Sequence, residues 1–431
     1  MSDKSTKKDS RRDFILKSLT AASSLGFRSF LLGLPTAFLT KRAMANPNAT
    51  YLIYSTYAEG CPLNANVPGA YVSGVTHPAS FATPVSFSLG PAQVQAAGAW
   101  ATLPQALRDR LQFIHHHTLT NAHSEAENVM RVQGSLKTAT GSGQEMLPSA
   151  VAQINKAALG TMSTAPIVLG QLNASVTFNS VAQPYIAPTA LRSLFPATIS
   201  ATTRSLQQFR DNAIDSLYQD LKTNGTSAQK KFLDDHVNSA AQSRQLALEF
   251  QSTLNNLGTG YVAELRAAAA LIAAKVTPTI VVGLRFGSDN HSQSGEEVNQ
   301  TEVSIAAMTD LWSQLNALGI ADKTTFCIQN VFGRTLRGGP TGGRQHHGAH
   351  SVAVLFGPNV KPGVTGALDM NVGQGESTAI NSTTGLAAGA DVPKTETLAA
   401  TAKTILKACG ADEAVINQRV TLGKILRSAV V

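Results

Sequence analysis

The sequence predicts an α/β fold in which a mostly parallel sheet is covered by helices on both faces. Two observations support this prediction. Several short segments are almost wholly apolar, which is typical of strands buried on both sides of a sheet. These segments alternate with helical patterns in the second half of the chain, as connections between parallel strands require. The apolar segments are 51–56, 279–284, 326–331 and 351–356.

The first part of the predicted domain begins with a strand and continues through loops. The strand at 51–56 ends where Glu59, Gly60 and Pro62 introduce a loop. Residues 62–100 are rich in Pro, Gly, Ser and Val and lack a clear period, so we expect loops and short strands there. A short helix is predicted over 103–111, and a strand over 111–114 leads into His115–His117.

The middle of the chain has a helical pattern. From Ser205 to about Leu271, apolar residues recur on one side at helical spacing. Gly225 and Gly258 divide this pattern into separate helices. We therefore predict a helical insertion over about 203–271.

The last part of the chain alternates strands with helices. A helix predicted over 303–318 ends at Gly319 and separates the strands at 279–284 and 326–331. A glycine-rich loop at 338–348 precedes the strand at 351–356, and a helix over 395–408 closes the domain.

The first 45 residues have the features of an export signal. Arg11 and Arg12 form the arginine pair of a twin-arginine signal, an apolar stretch covers 18–40, and Ala43-Met44-Ala45 is an A-x-A cleavage site. We predict a signal peptide over 1–45, a single domain over 46–431, and a periplasmic or extracellular location. Gly26, Arg28, Gly33 and Pro35 interrupt the apolar stretch, which disfavours the alternative of an anchor that stays in the membrane.

The charge of the chain gives little support for a nucleic-acid partner. The formal charge is +8, but residues 1–45 hold nine basic and three acidic residues, a net of +6. The remainder is close to neutral and has no basic run interleaved with aromatic residues. We therefore expect no nucleic-acid partner and no stable membrane span once the leader is removed.

Histidine and aspartate next to the predicted strands indicate a metal site. Eight of the ten histidines fall in three short regions: 115–123, 291 and 346–350. Imidazole and carboxylate groups are ligands of zinc, manganese and iron. Because loops at the carboxyl ends of parallel strands meet at one edge of a sheet, we expect a divalent-metal site there. The predicted ligands are Asp289, His291, His346 and His347. The alternative is that these polar residues only pack the ends of the strands.

Two further residues are candidates for catalysis. Arg334 follows a predicted strand and either holds an anion or fixes its loop. Cys61 is a candidate nucleophile, although no histidine lies beside it in the sequence. Sparse cysteines at 61, 327 and 409 exclude a disulfide framework but leave one disulfide open.

These loops, in this order, resemble a family of exported bacterial proteins grouped as domain of unknown function 1501. The resemblance rests on the leader, on Asp289-Asn290-His291, on Phe332-Gly333-Arg334-Thr335 and on the stretch from Gly343 to Gly348. That family is similar to a branch of the alkaline phosphatase and sulfatase superfamily. The resemblance implies a three-layer α/β/α sandwich and a metal-dependent hydrolase of phosphate or sulfate esters, with a small anionic ester as substrate.

Three positions depart from the pattern that the resemblance implies. Acidic residues are expected where the chain has Cys61, Val331 and Gln345. A site with two metal ions needs carboxylates to neutralise both cations. We therefore expect one metal or none, and two other functions stay open. One is a catalytically silent binding or assembly protein with an unknown protein partner, and the other is a metal-dependent exported oxidoreductase.

Overall fold

Eight strands of the computed structural model form one central sheet. They are β1 (Tyr51–Ser55), β4 (Leu111–His116), β5 (Ile167–Leu169), β8 (Tyr185–Ile186), β9 (Thr279–Val282), β10 (Thr324–Ile328), β13 (Ser351–Phe356) and β14 (Gly363–Thr365). Their order across the sheet is β14-β4-β13-β10-β1-β9-β5-β8. Seven of these strands run parallel to one another, and β13 runs antiparallel between β4 and β10.

Shorter strands pair outside the central sheet, each pair antiparallel. They are β2 (Val85–Leu89) with β3 (Ala92–Ala96), β6 (Thr177–Phe178) with β7 (Val181–Ala182), β11 (Gly333–Arg334) with β12 (His346–His347), and β15 (Leu368–Asp369) with β16 (Glu376–Ser377).

The described helices are α1 (Leu63–Asn66), α2 (Gly98–Ala101), α3 (Gln105–Arg108), α4 (Ala126–Met130), α5 (Leu147–Leu159), α6 (Pro188–Leu194), α7 (Gly260–Ala273), α8 (Gly295–Ala317), α9 (Thr397–Ala408) and α10 (Glu413–Arg419). Short 3-10 segments occur at Ala79–Phe81, His123–Glu125, Ala321–Lys323 and Lys394–Glu396. Among these helices, none combines the length and the apolar character that crossing a bilayer would require.

The structure describes residues 46–161, 163–194, a few positions between 205 and 230, and 257–431 apart from 288, 293 and 339–341. Among the described residues, 46–188 and 257–431 belong to one compact unit. The predicted signal peptide lies outside the described residues, as does most of the helical segment predicted over about 203–271. Within that segment, α7 covers its C-terminal end.

Helices cover both faces of the sheet. On one face, Tyr54, Cys327 and Leu355 belong to a buried apolar cluster that includes α5 and α9. Successive strand residues point to opposite faces. On the other face, Phe356 therefore meets Trp312 of α8 edge-on, with ring centroids 6.3 Å apart. This arrangement confirms the predicted α/β sandwich with its mostly parallel sheet.

Candidate metal centre

The polar residues of the candidate site come from segments that meet at one edge of the sheet. Asp289 and His291 follow β9, and Arg334 follows β10. His123 follows β4, which runs in the same direction. His346 precedes β13, and because β13 runs the other way its start lies at the same edge. The sheet topology brings together five residues from four segments of the chain.

The centre of the cluster is the carboxylate of Asp289. Its Oδ1 lies 2.8 Å from His291 Nε2 and 3.2 Å from His346 Nε2. Its Oδ2 lies 3.5 Å from His123 Nε2. The Nε2 atoms of His291 and His346 are 3.1 Å apart. Three imidazole rings therefore present the same ring nitrogen to one carboxylate.

The other ring nitrogen of each histidine is held by an oxygen. His123 Nδ1 lies 2.9 Å from the carbonyl oxygen of Ala58, and His346 Nδ1 lies 2.7 Å from that of Asn121. His291 Nδ1 lies 2.9 Å from Oε1 of Gln345. Because these oxygens only accept hydrogen bonds, each Nδ1 must donate one. In a neutral imidazole the Nε2 atom then carries a lone pair.

This arrangement fits a cation. Three Nε2 lone pairs that face a carboxylate and one another repel unless a positive charge lies between them. Metal-bound histidines commonly donate their second ring N–H to an oxygen, which fixes the ring and exposes the ligand atom. The ligand atoms of His123, Asp289 and His346 all lie within 4.8 Å of one another, so these residues form a triad that could hold a metal ion.

The environment of His346 favours its neutral form. Burial lowers the pKa of His346 below its ordinary value, and the charge of Arg334 lowers it further. The hydrogen bonds to Asn121 and Asp289 act in the opposite direction without reversing the shift. The Nε2 lone pair of His346 is therefore available near neutral pH.

An aromatic ring supports two of the histidines. The ring of His346 stacks on Phe332 at a centroid distance of 4.6 Å, and the ring of His123 tilts against it at 5.2 Å. Phe332 itself is fully buried. It restricts the rotation of both imidazoles and forms an apolar surface against which they pack.

The buried guanidinium of Arg334 forms an ion pair with the carboxylate of Asp289. The side chain of Arg334 is fully buried, and its Nη2 donates hydrogen bonds to Asp289 Oδ1 at 2.7 Å and to the carbonyl oxygen of Glu59 at 2.6 Å. Its Nε and Nη1 atoms have no hydrogen-bond partner in the described part of the chain. Partial burial raises the pKa of Asp289, but Arg334 and the histidines outweigh it and lower the pKa to about 2.

The pairing of β11 with β12 explains which of the two adjacent histidines joins the cluster. Arg334 lies directly opposite His346, and Gly333 lies opposite His347. Residues opposite each other share a face of the strand pair, whereas neighbours in sequence point to opposite faces. His347 accordingly points away from Asp289, and its Nε2 contacts the carbonyl oxygen of Gly375. The structure therefore does not bring His347 to the other three predicted ligands.

Cys61 has little nucleophilic character in this environment. It is buried, and burial raises the pKa of its thiol to about 11 despite hydrogen bonds from backbone N–H groups and Asn330. The attacking form of cysteine is the thiolate, which such a pKa disfavours. All three cysteines are free.

The histidine run at 115–117 lies beneath the surface rather than at the metal cluster. All three residues are buried, and His115 and His116 extend β4 beyond its predicted end at 114. His123, which the sequence singled out without assigning it a ligand role, completes the cluster instead. The sequence signal for it was its place in the region just beyond a predicted strand.

Two of the three positions at which the family resemblance implies an acidic residue have other roles in the structure. Val331 is a buried member of the apolar core. Gln345 accepts the hydrogen bond from His291 described above. Among the described residues, the groups that could hold a metal ion reduce to the one triad of His123, Asp289 and His346.

The fold and this cluster define an α/β sandwich protein with a candidate metal site at the carboxyl edge of its sheet. The chain belongs to the family described as Protein of unknown function (DUF1501), whose family model matches residues 70–412. This match confirms the family resemblance drawn from the sequence. No curated protein matches the chain at a significant level.

Proposed function

We propose that this protein is an exported, metal-dependent hydrolase of small phosphate or sulfate esters. The observation that supports this most directly is the convergence of three imidazole Nε2 atoms on Asp289, with the buried Arg334 beside it. Export through the twin-arginine route and descent from the alkaline phosphatase and sulfatase superfamily are parts of the same proposal. They rest on the leader sequence and on the family resemblance.

The ligands in this proposal are the triad of His123, Asp289 and His346, to which we add His291 because its Nε2 lies 2.8 Å from Asp289 Oδ1. Three neutral nitrogen ligands and one carboxylate suit Zn²⁺, Mn²⁺ or Fe²⁺. A divalent cation there would supply Lewis-acid polarisation of an ester oxygen. Side chains of Asp289 and His291 are each 40% exposed, so solvent and a small substrate can reach the cluster.

Arg334 supplies positive charge for an anionic ester. Its guanidinium is placed by two hydrogen bonds, to Asp289 and to the carbonyl oxygen of Glu59. Its other two nitrogen atoms are buried and have no hydrogen-bond partner among the described residues, so Arg334 acts on a ligand through its charge rather than by direct contact. Asp289 cancels only one positive charge. A divalent cation beside Arg334 therefore leaves the site positive overall, which favours a negatively charged ligand.

A catalytically silent binding protein is the alternative, and one observation favours it. No activated nucleophile is evident among the described side chains around Asp289, since the Cys61 thiol is buried with a raised pKa. In this alternative the metal cluster has a structural role, or binds a partner.

The test combines metal content with hydrolysis. The protein is purified from the periplasm, its metal content is determined by elemental analysis, and hydrolysis of an aryl phosphate and an aryl sulfate is measured. The proposal expects about one divalent metal per chain and hydrolysis that His346→Ala abolishes. A metal-bearing protein that hydrolyses neither ester supports the silent alternative. A protein that takes up no metal and shows no activity across divalent cations contradicts the proposal.

A further inference from the structure

A chain of buried hydrogen bonds connects the interior of the domain to the backbone of Arg334. His115 Nε2 lies 2.9 Å from the carbonyl oxygen of Pro68, and His115 Nδ1 lies 2.8 Å from His350 Nε2. His350 Nδ1 lies 3.1 Å from Asn64 Nδ2. The chain is continuous from the loop at Pro68 to Asn64.

Asn64 holds Arg334 by both sides of its backbone. Its Nδ2 donates to the carbonyl oxygen of Arg334 at 2.8 Å, and its Oδ1 accepts from the N–H of Arg334 at 2.9 Å. Asn64 thereby takes the place of a second neighbouring strand beside β11. The position of the Arg334 backbone is set by this amide together with the pairing of β11 with β12.

The hydrogen bonds fix the position of every proton in the chain. Because the oxygen of Pro68 only accepts, His115 must donate from Nε2, which leaves its Nδ1 as an acceptor for His350 Nε2–H. His350 Nδ1 then accepts from Asn64. Both rings must be neutral for this order to hold. Burial lowers the pKa of His115 to about 4 and lowers that of His350 as well, which is consistent with neutral rings.

Two glycines allow the chain to pack this closely. A Cβ atom at Gly69, whose φ is +89°, would lie 2.6 Å from His115 Nε2. At Gly333 a Cβ atom would lie 2.2 Å from the carbonyl oxygen of His350 and 2.8 Å from the amide of Asn64. Any other residue at either position would push the network apart.

We infer that His115, His350 and Asn64 are positioning residues that hold the Arg334 guanidinium against Asp289. None of the three contacts the metal cluster directly in the described structure; they act through the backbone of Arg334. The role of Arg334 toward a substrate rests on the proposed function, whereas the positioning itself does not.

A double-mutant cycle tests this inference without requiring activity. The free energy of unfolding in urea is measured for metal-free protein carrying His350→Gln, Arg334→Met or both changes. If His350 acts through Arg334, the fold-increase in the unfolding equilibrium constant caused by His350→Gln is at least threefold smaller in the Arg334→Met background. Residues that act independently give the same effect in both backgrounds.

His116→Gln is the matched control. His116 is the next residue of the same strand and equally buried, but its side chain points to the other face and its Nδ1 bonds the carbonyl oxygen of His117. We expect its effect to be unchanged by Arg334→Met. His115→Gln, at the far end of the chain, serves if His350→Gln does not fold.

The outcomes separate this inference from the proposed function. If esters are hydrolysed, His350→Gln should also raise KM for an aryl phosphate several-fold, and Arg334→Met should remove that increase. If no ester is hydrolysed but the stability cycle shows coupling, the positioning stands and the hydrolase proposal falls. Additive effects for both His350→Gln and His115→Gln overturn the inference.

Discussion

The carboxylate of Glu297 and the guanidinium of Arg344 form an ion pair that is almost completely shielded from solvent. Arg344 Nε lies 2.9 Å from Glu297 Oε2, and Nη2 lies 3.2 Å from Oε1. The side chain of Glu297 is 0% exposed and that of Arg344 is 3% exposed. Two parallel hydrogen bonds between planar groups give this pair a fixed geometry.

This pair connects the loops that carry the candidate ligands. Glu297 also accepts hydrogen bonds from the amides of Asn66 and Asn290. Arg344 Nη1 donates to the carbonyl oxygen of Thr335, at 2.8 Å. Asn290 lies between Asp289 and His291, and Thr335 follows Arg334. The pair therefore holds the loop that carries Asp289 and His291 next to the segment that carries Arg334.

Removing the charge of Glu297 should destabilise the fold. Glu297→Gln leaves the guanidinium of Arg344 buried without a counter-ion, which typically costs about 3–5 kcal/mol. Urea unfolding followed by circular dichroism measures the change. The double variant Glu297→Leu with Arg344→Met should recover much of this loss, since it leaves no uncompensated charge. A loss below about 1 kcal/mol for Glu297→Gln would show that the pair is solvated, because exposed ion pairs contribute only that much.

His346 and His347 should differ sharply in their effect on metal affinity. His346→Ala removes an Nε2 atom that faces Asp289, and His123→Ala removes another. We expect each variant to weaken Zn²⁺ binding at least tenfold, measured by competition with a chromophoric chelator. His347→Ala is the control, since its ring contacts Gly375 instead. Equal losses for His346→Ala and His347→Ala would contradict the ligand set.

Acidification should destabilise the protein in part through His116. Burial lowers its pKa to about 4, with the neighbouring His115 and His117 adding to the shift against the hydrogen bond to the His117 carbonyl. The unfolded chain has a pKa near 6.5 at this residue. The stability that the neutral side chain of His116 contributes is therefore fully present above about pH 6.5, and it is lost as the pH falls through 4.

The measurement is the free energy of unfolding in urea at several values between pH 7 and pH 4. In His116→Gln the slope against pH should be smaller by up to about 1.4 kcal/mol per pH unit, the value for one proton. Protonation of the other buried histidines on unfolding accounts for the slope that remains. An unchanged slope would show that His116 takes up no additional proton on unfolding.

The cysteine thiols should be unreactive in the folded protein. Cys61, Cys327 and Cys409 are free and buried, and burial raises the pKa of Cys61 to about 11 and that of Cys409 to about 12. Alkylation with iodoacetamide at pH 8, followed by mass spectrometry, should label none of them until the protein is unfolded. Rapid labelling of Cys61 in the native state would restore its candidacy as a nucleophile.

The sequence predicted the core strands because their burial is visible in local composition. The strand at 351–356 matches β13 residue for residue, and 51–56 exceeds β1 by one residue. The helix α5 was not predicted, although Pro148 stands in its first turn and Gly160 follows it. Its apolar residues Leu147, Ala150, Val151 and Ile154 recur at helical spacing and pack in the core, so the local pattern for this helix is present in the sequence.

Only part of the candidate site was predicted from the sequence. The rest was not, because pairing between distant strands decides which histidines become ligands. The sequence placed Asp289 and His346 near the same edge, but His346 and His347 are indistinguishable there. Only the pairing of Arg334 with His346 decides which ring faces Asp289. His123 joins the cluster through a turn after β4 whose direction no local pattern reveals. That ligand set remains a prediction until metal binding is measured.

The reversed direction of β13 has a consequence for how this edge of the protein can change. Because antiparallel neighbours need no crossover connection, β10 and β13 are joined at this edge through the 22 residues from 329 to 350. That excursion contributes both Arg334 and His346, and it also supplies Val331 and Phe332 to the apolar core. Substitutions at its exposed positions Arg337 and Gln345 can therefore alter the charge of this edge with little effect on folding, whereas burial fixes Phe332 and Arg344.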